Sequence, residues 1–580
     1  MKIKKLRLTI LSLTVFASLN YSALSQAGVE DPQLTWNGSI SSDWDNPNNW
    51  TPNETPSEWS EITIPSTAND PLITGVKTVE DITISSGSSM TIPVGATLNV
   101  NGDVNMYSQS NSYASLIVNG TISISGTAKY HRFTNSQSNN NDLIAPPLSG
   151  QTWSSFLTSD TNYNEGLIFN NGVQPMTTYL FGPFEKGITD DYLLYNDNSS
   201  EVLVSGKGYR TASNTVNGDA LIFTGTIVTG AVTTTIVNDL TGAYSEWNLI
   251  GNPYPAYIEV EAFLNHVGSV TGVTNLSLLN ASSAAIYGYS ANTTGTGDSW
   301  TIVNLATGST LIAPGQGFFV TSNLPVADLE FTPDMQVAGN VDDFIQGRSS
   351  DPINFVNLKM RTATNSALTS VYFNDNASNG LDVGYDAVIF GGQASNFGLY
   401  SHLVQDNEGL PLKVQTLNSN VANNVIIPLG INANQGQQVT FSLEDFYVPA
   451  SVEIYLEDNL NGTFTLLNES DYTFTTNTTI NGTGRFFLHF ETDTLSLEDN
   501  SLNALQIFTN QIDRTIEIEG VLLGETEASI YNLLGNKVIQ HELDSAVTKQ
   551  VINANRLSSG VYLVHIQNGT QKITKKIILK

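Results

Sequence analysis

Four tryptophans near the start of the chain suggest ligand chemistry most directly: Trp36, Trp44, Trp50 and Trp59. They lie among Asn, Asp, Pro and Ser residues. An exposed indole ring can stack on the apolar face of a sugar, and neighbouring amides and carboxylates can hydrogen-bond to its hydroxyls. The pattern therefore predicts a glycan-binding site at these four residues. The alternative is that the rings cap the open end of the first β domain and bind no ligand.

A second candidate site is the turn Glu457-Asp458-Asn459-Leu460-Asn461-Gly462. Calcium prefers oxygen ligands and often takes them from Asp- and Asn-rich turns. The turn nearly copies the opening of a calcium-binding loop, but Asn468 stands where such a loop has a bidentate Glu. Two interpretations remain open: a calcium site with Glu457, Asn459 and Asn461 as ligands, or a plain hairpin turn. No other cofactor is predicted.

Several kinds of catalytic site are excluded or left without support. The chain has no cysteine, which excludes disulfides, thiolate catalysis and Cys-ligated metals. It has no G-x-S-x-G nucleophile motif and no H-E-x-x-H zinc motif, and its 6 histidines lie in separate segments. A glycosidase or lyase takes its acid and base from distant strands. We therefore assign no catalytic residue, and an enzyme stays the alternative to a binding protein.

Composition predicts a multidomain β protein. The chain has 580 residues, of which 40% are hydrophobic and only 13% charged, so Asn, Ser, Thr and Gly must form the polar surface. Thr suits exposed strand positions, while Asn and Gly suit tight turns. With 23 Lys and Arg against 54 Asp and Glu, the net charge is −31. An acidic chain is poorly suited to a phosphate backbone, so nucleic acid is not an expected partner.

The first 27 residues read as a signal peptide. Basic residues lead into the apolar run from Leu8 to Leu19, and small residues flank the expected cleavage point after Ala27. This apolar run is interrupted and shorter than the roughly 20 residues that span a bilayer. No later stretch is long enough, so we expect an exported chain without a transmembrane segment.

Residues 505–580 alternate apolar and polar residues between Gly and Asn turns, as in a small antiparallel sandwich. Three motifs follow in order: Tyr531 to Gly535 (YNLLG), Leu557 to Val564 (LSSGVYLV), and a final Lys-rich strand ending at Lys580. Together they resemble the type A C-terminal sorting domain of the type IX secretion system. The chain departs from that pattern at its first turn, where Phe508-Thr509-Asn510-Gln511 replaces a Pro-containing turn. The residues that match the sorting signal are Tyr531, Gly535, Gly560, Tyr562, Lys575, Lys576 and Lys580.

The resemblance implies the route and partners of the chain. It implies export through the type IX machinery of a Gram-negative bacterium, then release or display on the outer face of the outer membrane. Surface lipopolysaccharide and extracellular polysaccharide are the further expected partners. In such proteins the sorting domain is normally removed.

Residues 28–130 are predicted to form a short β-solenoid or a meander. Period-2 apolar pairs such as Ile62 and Ile64, or Ile82 and Ile84, recur between Gly and Asn turns. The opening residues Trp36-Asn37-Gly38, Asp43-Trp44 and Asn49-Trp50 also resemble the opening segment of many large type IX exported surface proteins.

The middle of the chain contains an internal duplication. Leu143-Ile144 recurs as Leu249-Ile250, and the Gly-x-Gly-aromatic turn at Gly206 recurs at Gly315, each roughly 108 residues later. We therefore predict two copies of one β module, residues 131–240 and 241–349, with little helix apart from Val260 to His266. Residues 350–495 are predicted to follow as an antiparallel sandwich, either a jelly roll or immunoglobulin-like. Its eight short predicted strands lie near Phe355 to Met360, Ser370 to Phe373, Ala387 to Phe390, Val425 to Leu429, Val439 to Leu443, Val452 to Leu456, Phe464 to Leu467 and Arg485 to Phe490. The Leu381 to Ala387 stretch resembles a recurrent element of these exported proteins.

The sequence thus predicts an all-β, multidomain surface protein without catalytic activity, with an adhesive or polysaccharide-binding role. The alternative is an enzyme or accessory protein of extracellular polysaccharide degradation.

Overall fold

The computed structural model describes residues 32–135, 141–168, 177–186, 191–212, 219–289, 300–342, 353–419, 425–491, 502, 505–522, 524–568 and 571–580. The predicted signal peptide, residues 1–27, lies outside this part of the chain. The fold class is all-β, as predicted. Within the ranges just given, no helix is long and apolar enough to cross a membrane.

The first domain is a β-solenoid. Its strands are β1 (Gln33–Trp36), β2 (Trp50–Thr51), β3 (Glu61–Ile64), β4 (Val76–Val79), β5 (Asp81–Ile84), β6 (Ser89–Ile92), β7 (Thr97–Val100), β8 (Val104–Gln109), β9 (Ser112–Tyr113), β10 (Ser115–Val118), β11 (Thr121–Ile124) and β12 (Ala128–Thr134). Three parallel stacks run through successive coils: β1-β3-β5-β8-β12, β4-β7-β11 and β6-β10. Alternation places Ile62, Ile64, Ile82 and Ile84 inside. The stacking decides between the two predictions in favour of the solenoid.

The two middle segments share one strand order. The first contains β13 (Asp142–Ile144), helix α1 (Trp153–Leu167), β14 (Gly182–Glu185), β15 (Asp191–Tyr192), β16 (Tyr209–Thr211) and β17 (Asp219–Gly225). The second contains β18 (Val232–Ile236), β19 (Trp247–Gly251), β20 (Tyr257–Glu259), helix α2 (Val260–Asn265), β21 (Ile286–Tyr289), β22 (Trp300–Val303), β23 (Leu311–Ile312), β24 (Gly317–Thr321), β25 (Ala327–Phe331) and β26 (Gln336–Val337). Their central sheets run β13-β16-β14-β15 and β19-β24-β21-β22. This shared order supports the interpretation of two copies.

The first copy is fused to the solenoid. Strand β12 spans the predicted boundary at residue 130, and β17 pairs with it along its whole length. Trp153 and Phe156 of α1 also belong to the same buried cluster as the solenoid's isoleucines. Helix α2 agrees with the predicted helix, whereas α1 was not predicted because its sequence lacks a clear 3.6-residue apolar period. Short 3-10 helices occur at Pro47–Asn49, Asn275–Leu278, Ala281–Ser283, Pro333–Met335 and Phe390–Gly392.

The fourth region is one folded-over sheet. Its strands are β27 (Asn354–Arg361), β28 (Ser366–Phe373), β29 (Ala387–Val388), β30 (Gly398–Ser401), β31 (Leu412–Leu417), β32 (Val425–Ala433), β33 (Gln438–Tyr447), β34 (Glu453–Asp458), β35 (Thr463–Leu466), β36 (Tyr472–Thr475) and β37 (Ile480–Glu491). They pair in the order β35-β34-β37-β32-β30-β31-β28-β27-β33-β36, with β29 beside β31. Phe441 of β33 meets Phe486 of β37 at 5.0 Å between ring centroids, so distant parts of the path enclose one core. We call this region the sandwich.

The last region has its own core. Its strands are β38 (Gln506–Asn510), β39 (Thr515–Glu519), β40 (Thr526–Asn532), β41 (Lys537–Leu543), β42 (Lys549–Asn553), β43 (Gly560–Asn568) and β44 (Gln571–Leu579). A sheet β38-β39-β42 packs on a sheet β41-β40-β43-β44, and residues such as Ile516, Ile530 and Val564 fill the space between them. This agrees with the small sandwich predicted for the end of the chain.

Candidate functional site

A groove of about 360 Å³ lies where the second middle segment meets the sandwich. The two parts share an aromatic interface built from Trp247, Tyr287 and Phe319 on one side and Tyr372 and Val414 on the other. The groove opens at the end of this interface. Its lining residues are Trp300, Thr301, Ile302, Asn357, Lys359, Ser366, Ala367, Leu368, Ser370, Tyr372, Lys413, Val414, Glu444 and Asp445.

Neighbouring strands of the sandwich form the floor of the groove. Asn357 and Lys359 lie on β27, Ser370 on β28 and Lys413 on β31. Because successive strand residues point to opposite faces, the intervening Leu358 faces the sandwich core instead. The polar side chains at alternate positions of these strands therefore lie together on the face of the sheet that lines the groove.

A β-bulge brings two carboxylates to the rim. Asn357 pairs with Asp445 and the next residue, Leu358, pairs with Leu443, so Glu444 is the extra residue of β33. A bulge re-aims side chains that would otherwise alternate strictly. Both Glu444 and Asp445 consequently line the groove, and Glu444 Oε2 lies 2.9 Å from Lys359 Nζ.

Trp300 forms the aromatic wall. Its ring stacks on Phe390 with 3.8 Å between centroids and an interplanar angle of 11°. It also meets Tyr289 edge to face at 5.3 Å. Phe390 covers one ring face, and the side chain keeps intermediate exposure while lining the groove. This fixed indole is a suitable platform for an apolar ligand face.

Lys413 is the most perturbed cation in the groove. Its side chain is 7% exposed, and Nζ donates to the carbonyl of Leu368. Burial lowers the pKa of Lys413 to about 7, because desolvation penalises the charged amine. Burial likewise raises the pKa of Tyr372 to about 12, so that phenol is neutral at physiological pH.

Further contacts fix the floor. Ser370 Oγ donates to Asn357 Oδ1 at 2.7 Å across β27 and β28. Asp386 of the Leu381 to Ala387 stretch accepts from the backbone N of Thr416, 2.7 Å away, and so holds the strand that carries Lys413. Burial raises the pKa of Asp386 to about 7. The arrangement combines one aromatic platform with hydroxyl, amide, amine and carboxylate groups, which suits a ligand rich in hydroxyls.

Three of the four predicted tryptophans are core residues. Trp36, Trp44 and Trp50 are between 0% and 1% exposed, and Trp50 packs edge to face on both of the others. Trp36 Nε1 donates to the carbonyl of Asn69, and Trp50 Nε1 to that of Trp44. Protein atoms cover their ring faces, so the glycan-binding assignment is corrected for these three: they belong to the first core, as the capping alternative expects. Trp59 is 60% exposed and stays a candidate.

The predicted calcium turn is held by protein donors. Both oxygens of Asp458 accept from Arg485, from Nε at 2.9 Å and from Nη2 at 2.7 Å. Asn461 Nδ2 also donates to Asp458, and His489 lies 2.8 Å from Glu457. Throughout the described ranges, no three His, Cys, Asp or Glu side chains form a group that could hold a metal. The calcium site at Glu457, Asn459 and Asn461 stays a prediction.

The sorting-signal residues lie on the second sheet of the last region. Tyr531 is in β40, Gly535 forms the following turn with a φ of 80°, and Gly560 and Tyr562 begin β43. The three lysines follow on β44 and at the C-terminus, where Lys576 and Lys580 are exposed. Burial lowers the pKa of Lys575, an effect that Asp406 of the sandwich partly offsets. The atypical first turn closes without proline, because Asn510 Oδ1 accepts from the backbone N of Ile512 at 3.0 Å.

Comparison with known proteins gives the family. Residues 35–490, the solenoid, both middle segments and the sandwich together, match the family described as a domain of unknown function, DUF8693. The chain belongs to the DUF8693 family. Residues 507–580 match the secretion system C-terminal sorting domain, which confirms the predicted type IX export signal. The DUF8693 region is therefore delivered to the cell surface or secreted by the type IX machinery.

Other comparisons add no functional argument to the DUF8693 assignment. No curated protein matches the chain. A solved structure titled "Biofilm associated protein - BSP domain" is 8% identical, with 78% of this chain and 96% of that chain covered. Its TM-score of 0.14 is too low to support a conclusion about fold or function.

Sequence reasoning missed the groove residues of the DUF8693 region. Strand β31, which carries Lys413, was not among the predicted strands, although Leu412, Val414 and Leu417 give it an apolar character. A lysine between two apolar residues in a chain with only 23 basic residues was the available signal. The bulge at Glu444 depends on strand pairing, so β33 alone gives no sign of it.

Proposed function

We propose that the DUF8693 region binds polysaccharide in the groove between its second middle segment and the sandwich, as a secreted or surface-attached protein without catalytic activity. The observation that carries the proposal is one rigid indole, Trp300, beside convergent hydroxyl, amide and charged groups. Sugar recognition needs both an apolar platform and several hydrogen-bonding partners. Extracellular polysaccharide and the glycan part of lipopolysaccharide both offer this chemistry.

The site is suited to a neutral glycan. Lys359 is paired with Glu444, and Lys413, partly protonated near pH 7, shares the groove with Asp445, so the groove carries little net charge. The chain as a whole carries −31, which repels anionic polymers at low salt. A neutral polymer rich in hydroxyl groups is not repelled by this charge.

A glycan array followed by calorimetry on the exported chain, residues 28–580, tests the proposal. We expect Trp300→Ala and Lys413→Met each to weaken binding of the selected polysaccharide by about tenfold or more, which corresponds to about 1.4 kcal/mol. Trp59→Ala is the matched control, because that ring is exposed and distant in sequence from the groove. If Trp59→Ala abolishes binding while both groove variants bind normally, the groove is not the site.

A second candidate function is polysaccharide cleavage, which the state of Lys413 favours. An amine with a pKa of about 7 is partly uncharged at neutral pH and can accept a proton, as a lyase base must. Incubation with the neutral polysaccharides that bind and with uronic-acid polysaccharides, whose carboxylates make the adjacent proton acidic enough for a lyase, separates the two functions through new reducing ends and unsaturated products. Release of either product, abolished by Lys413→Met, would replace the binding proposal with the enzymatic one.

A further inference from the structure

The last region, which begins with β38 at Gln506 and contains the sorting domain matched at residues 507–580, contacts the sandwich through a specific surface. On the sandwich this surface consists of His402, Asn407, Gly409, Thr483 and Gly484. On the other side, the contacting residues are Gln506, Phe508, Glu519 and Gly520. We call this surface the docking face.

Phe508 is the aromatic anchor of the docking face. It is 7% exposed, yet it does not belong to the core cluster of the sorting domain. Its ring meets that of His402 edge to face at 6.0 Å. A β-carbon on Gly409 would lie 2.5 Å from Phe508 Cε2, so the ring occupies space that any other residue at 409 would fill.

Polar contacts flank the anchor. Asn407 Nδ2 donates to Gln506 Oε1 at 3.0 Å. Thr483 Oγ1 donates to Glu519 Oε2 at 2.5 Å, and Lys549 Nζ lies 2.9 Å from the other oxygen of that carboxylate. Glu519 is only 4% exposed, so its hydrogen bonds are made away from solvent, where such bonds discriminate strongly between a correct and an incorrect partner.

The two backbones also approach closely. A β-carbon on Gly484 would lie 1.9 Å from the Cα of Gly520, and Gly484 has a φ of 97°. Only glycine at position 484 allows this crossing. A side chain at position 484 would clash with Gly520, so the two surfaces fit each other closely at this point.

We propose that the docking face is a specific binding site of the DUF8693 region for its own sorting domain, and that it holds the two together without a covalent link. The cores on the two sides are separate clusters, so each region buries its own apolar residues. The docking face joins these two regions through the aromatic anchor Phe508, through buried hydrogen bonds, and through the close approach of Gly484 to Gly520. Cutting the connecting chain alone therefore leaves the sorting domain bound.

The test uses the full chain with a protease recognition sequence inserted between residues 496 and 497. After cleavage, native mass spectrometry and gel filtration at about 1 μM measure the fraction of sorting domain still bound. We expect the two fragments to remain one species. Dissociation of the sorting domain from the unsubstituted cleaved chain, folded or unfolded, would overturn the proposal.

Matched variants identify the surface. We expect Phe508→Ala to increase the dissociation constant by about tenfold or more, as for a buried aromatic anchor. Gln506→Ala gives a second, gentler variant that should weaken docking without altering the core. Ile512→Ala is the control, because that side chain is 93% exposed and belongs to the same domain. Equal dissociation of all three variants would show that the contact is nonspecific.

Discussion

Lys359 Nζ and Glu444 Oε2 lie 2.9 Å apart at the mouth of the groove. The pair joins β27 to the bulged residue of β33, and half of the glutamate side chain, 48%, is exposed. An ion pair of this exposure contributes little to stability. Its effect is to neutralise the rim of the groove.

The first prediction concerns charge. Because the rim is neutralised, binding of a neutral polysaccharide should change less than about twofold between 50 mM and 500 mM salt, where surface charges become fully screened. Calorimetry at the two salt concentrations measures this. If the protein binds an anionic polysaccharide more tightly than neutral ones at low salt, the groove does not have the balanced charge described above.

The second prediction concerns Lys413 and pH. The folded-state pKa of about 7 lies below the ordinary value of 10.5, so the unfolded chain binds the extra proton between these two values. Stability should therefore fall as pH decreases from 10.5 to 7. Lys413→Met removes the free-energy cost of deprotonating the lysine on folding. We therefore expect the variant to be roughly 3–5 kcal/mol more stable than the parent at pH 6.5, and this difference should shrink by pH 10. Denaturant unfolding at both pH values tests this, and a pH-independent difference would show that the pKa of Lys413 is the same in the folded and the unfolded chain.

The third prediction separates the tryptophans. Trp50→Ala should lower the free energy of unfolding by about 3–5 kcal/mol, because it removes a buried ring that packs on two others. Trp59→Ala should change it by less than about 0.5 kcal/mol, since most of that ring is in solvent. Chemical denaturation of both variants provides the measurement. A small effect at Trp50 would return that residue to the list of candidate ligand contacts.

The fourth prediction concerns Asp458. This carboxylate is fully buried and paired at two points with Arg485, so Asp458→Ala should cost about 3–5 kcal/mol by leaving the guanidinium uncompensated. Asp471→Ala is the control: its pair with Arg361 is about half exposed and should cost less than about 1 kcal/mol. Unfolding curves with and without added calcium complete the test. Stabilisation by calcium that Glu457→Gln or Asn461→Ala abolishes would establish the metal site.

The fifth prediction concerns docking and pH. Burial lowers the pKa of His402 to about 4; the nearby Glu519 carboxylate raises it by a smaller amount, and Lys549 lowers it further. Protonation between pH 6.5 and 4 thus favours the state in which His402 is exposed. The cleaved chain described above should release its sorting domain more readily at pH 5 than at pH 7.5, by about tenfold, and His402→Phe should reduce this dependence. Equal docking at both pH values in the parent would mean that His402 stays buried after release.

The sequence alone determined the all-β class, the export signal and most strands of the sandwich. These properties depend on local composition, on period-2 alternation and on motifs such as Tyr531 to Gly535, all of which are readable within a few residues. The sequence predicted the strands of the first domain but left a solenoid and a meander open. The alternation of Ile62 and Ile64 indicates strands, and only the parallel pairing of β3 with β5 shows that they stack in coils.

Tertiary structure alone decided which side chains are buried and which line the groove. The burial of Trp36, Trp44 and Trp50 results from their packing on one another, whereas Trp300 faces the groove because the second middle segment docks on the sandwich. Lys413, Glu444 and Trp300 come from separate strands that long-range pairing brings together. Contacts between residues far apart in the chain bring these side chains together, so alternation within one strand predicts burial but does not reveal the groove.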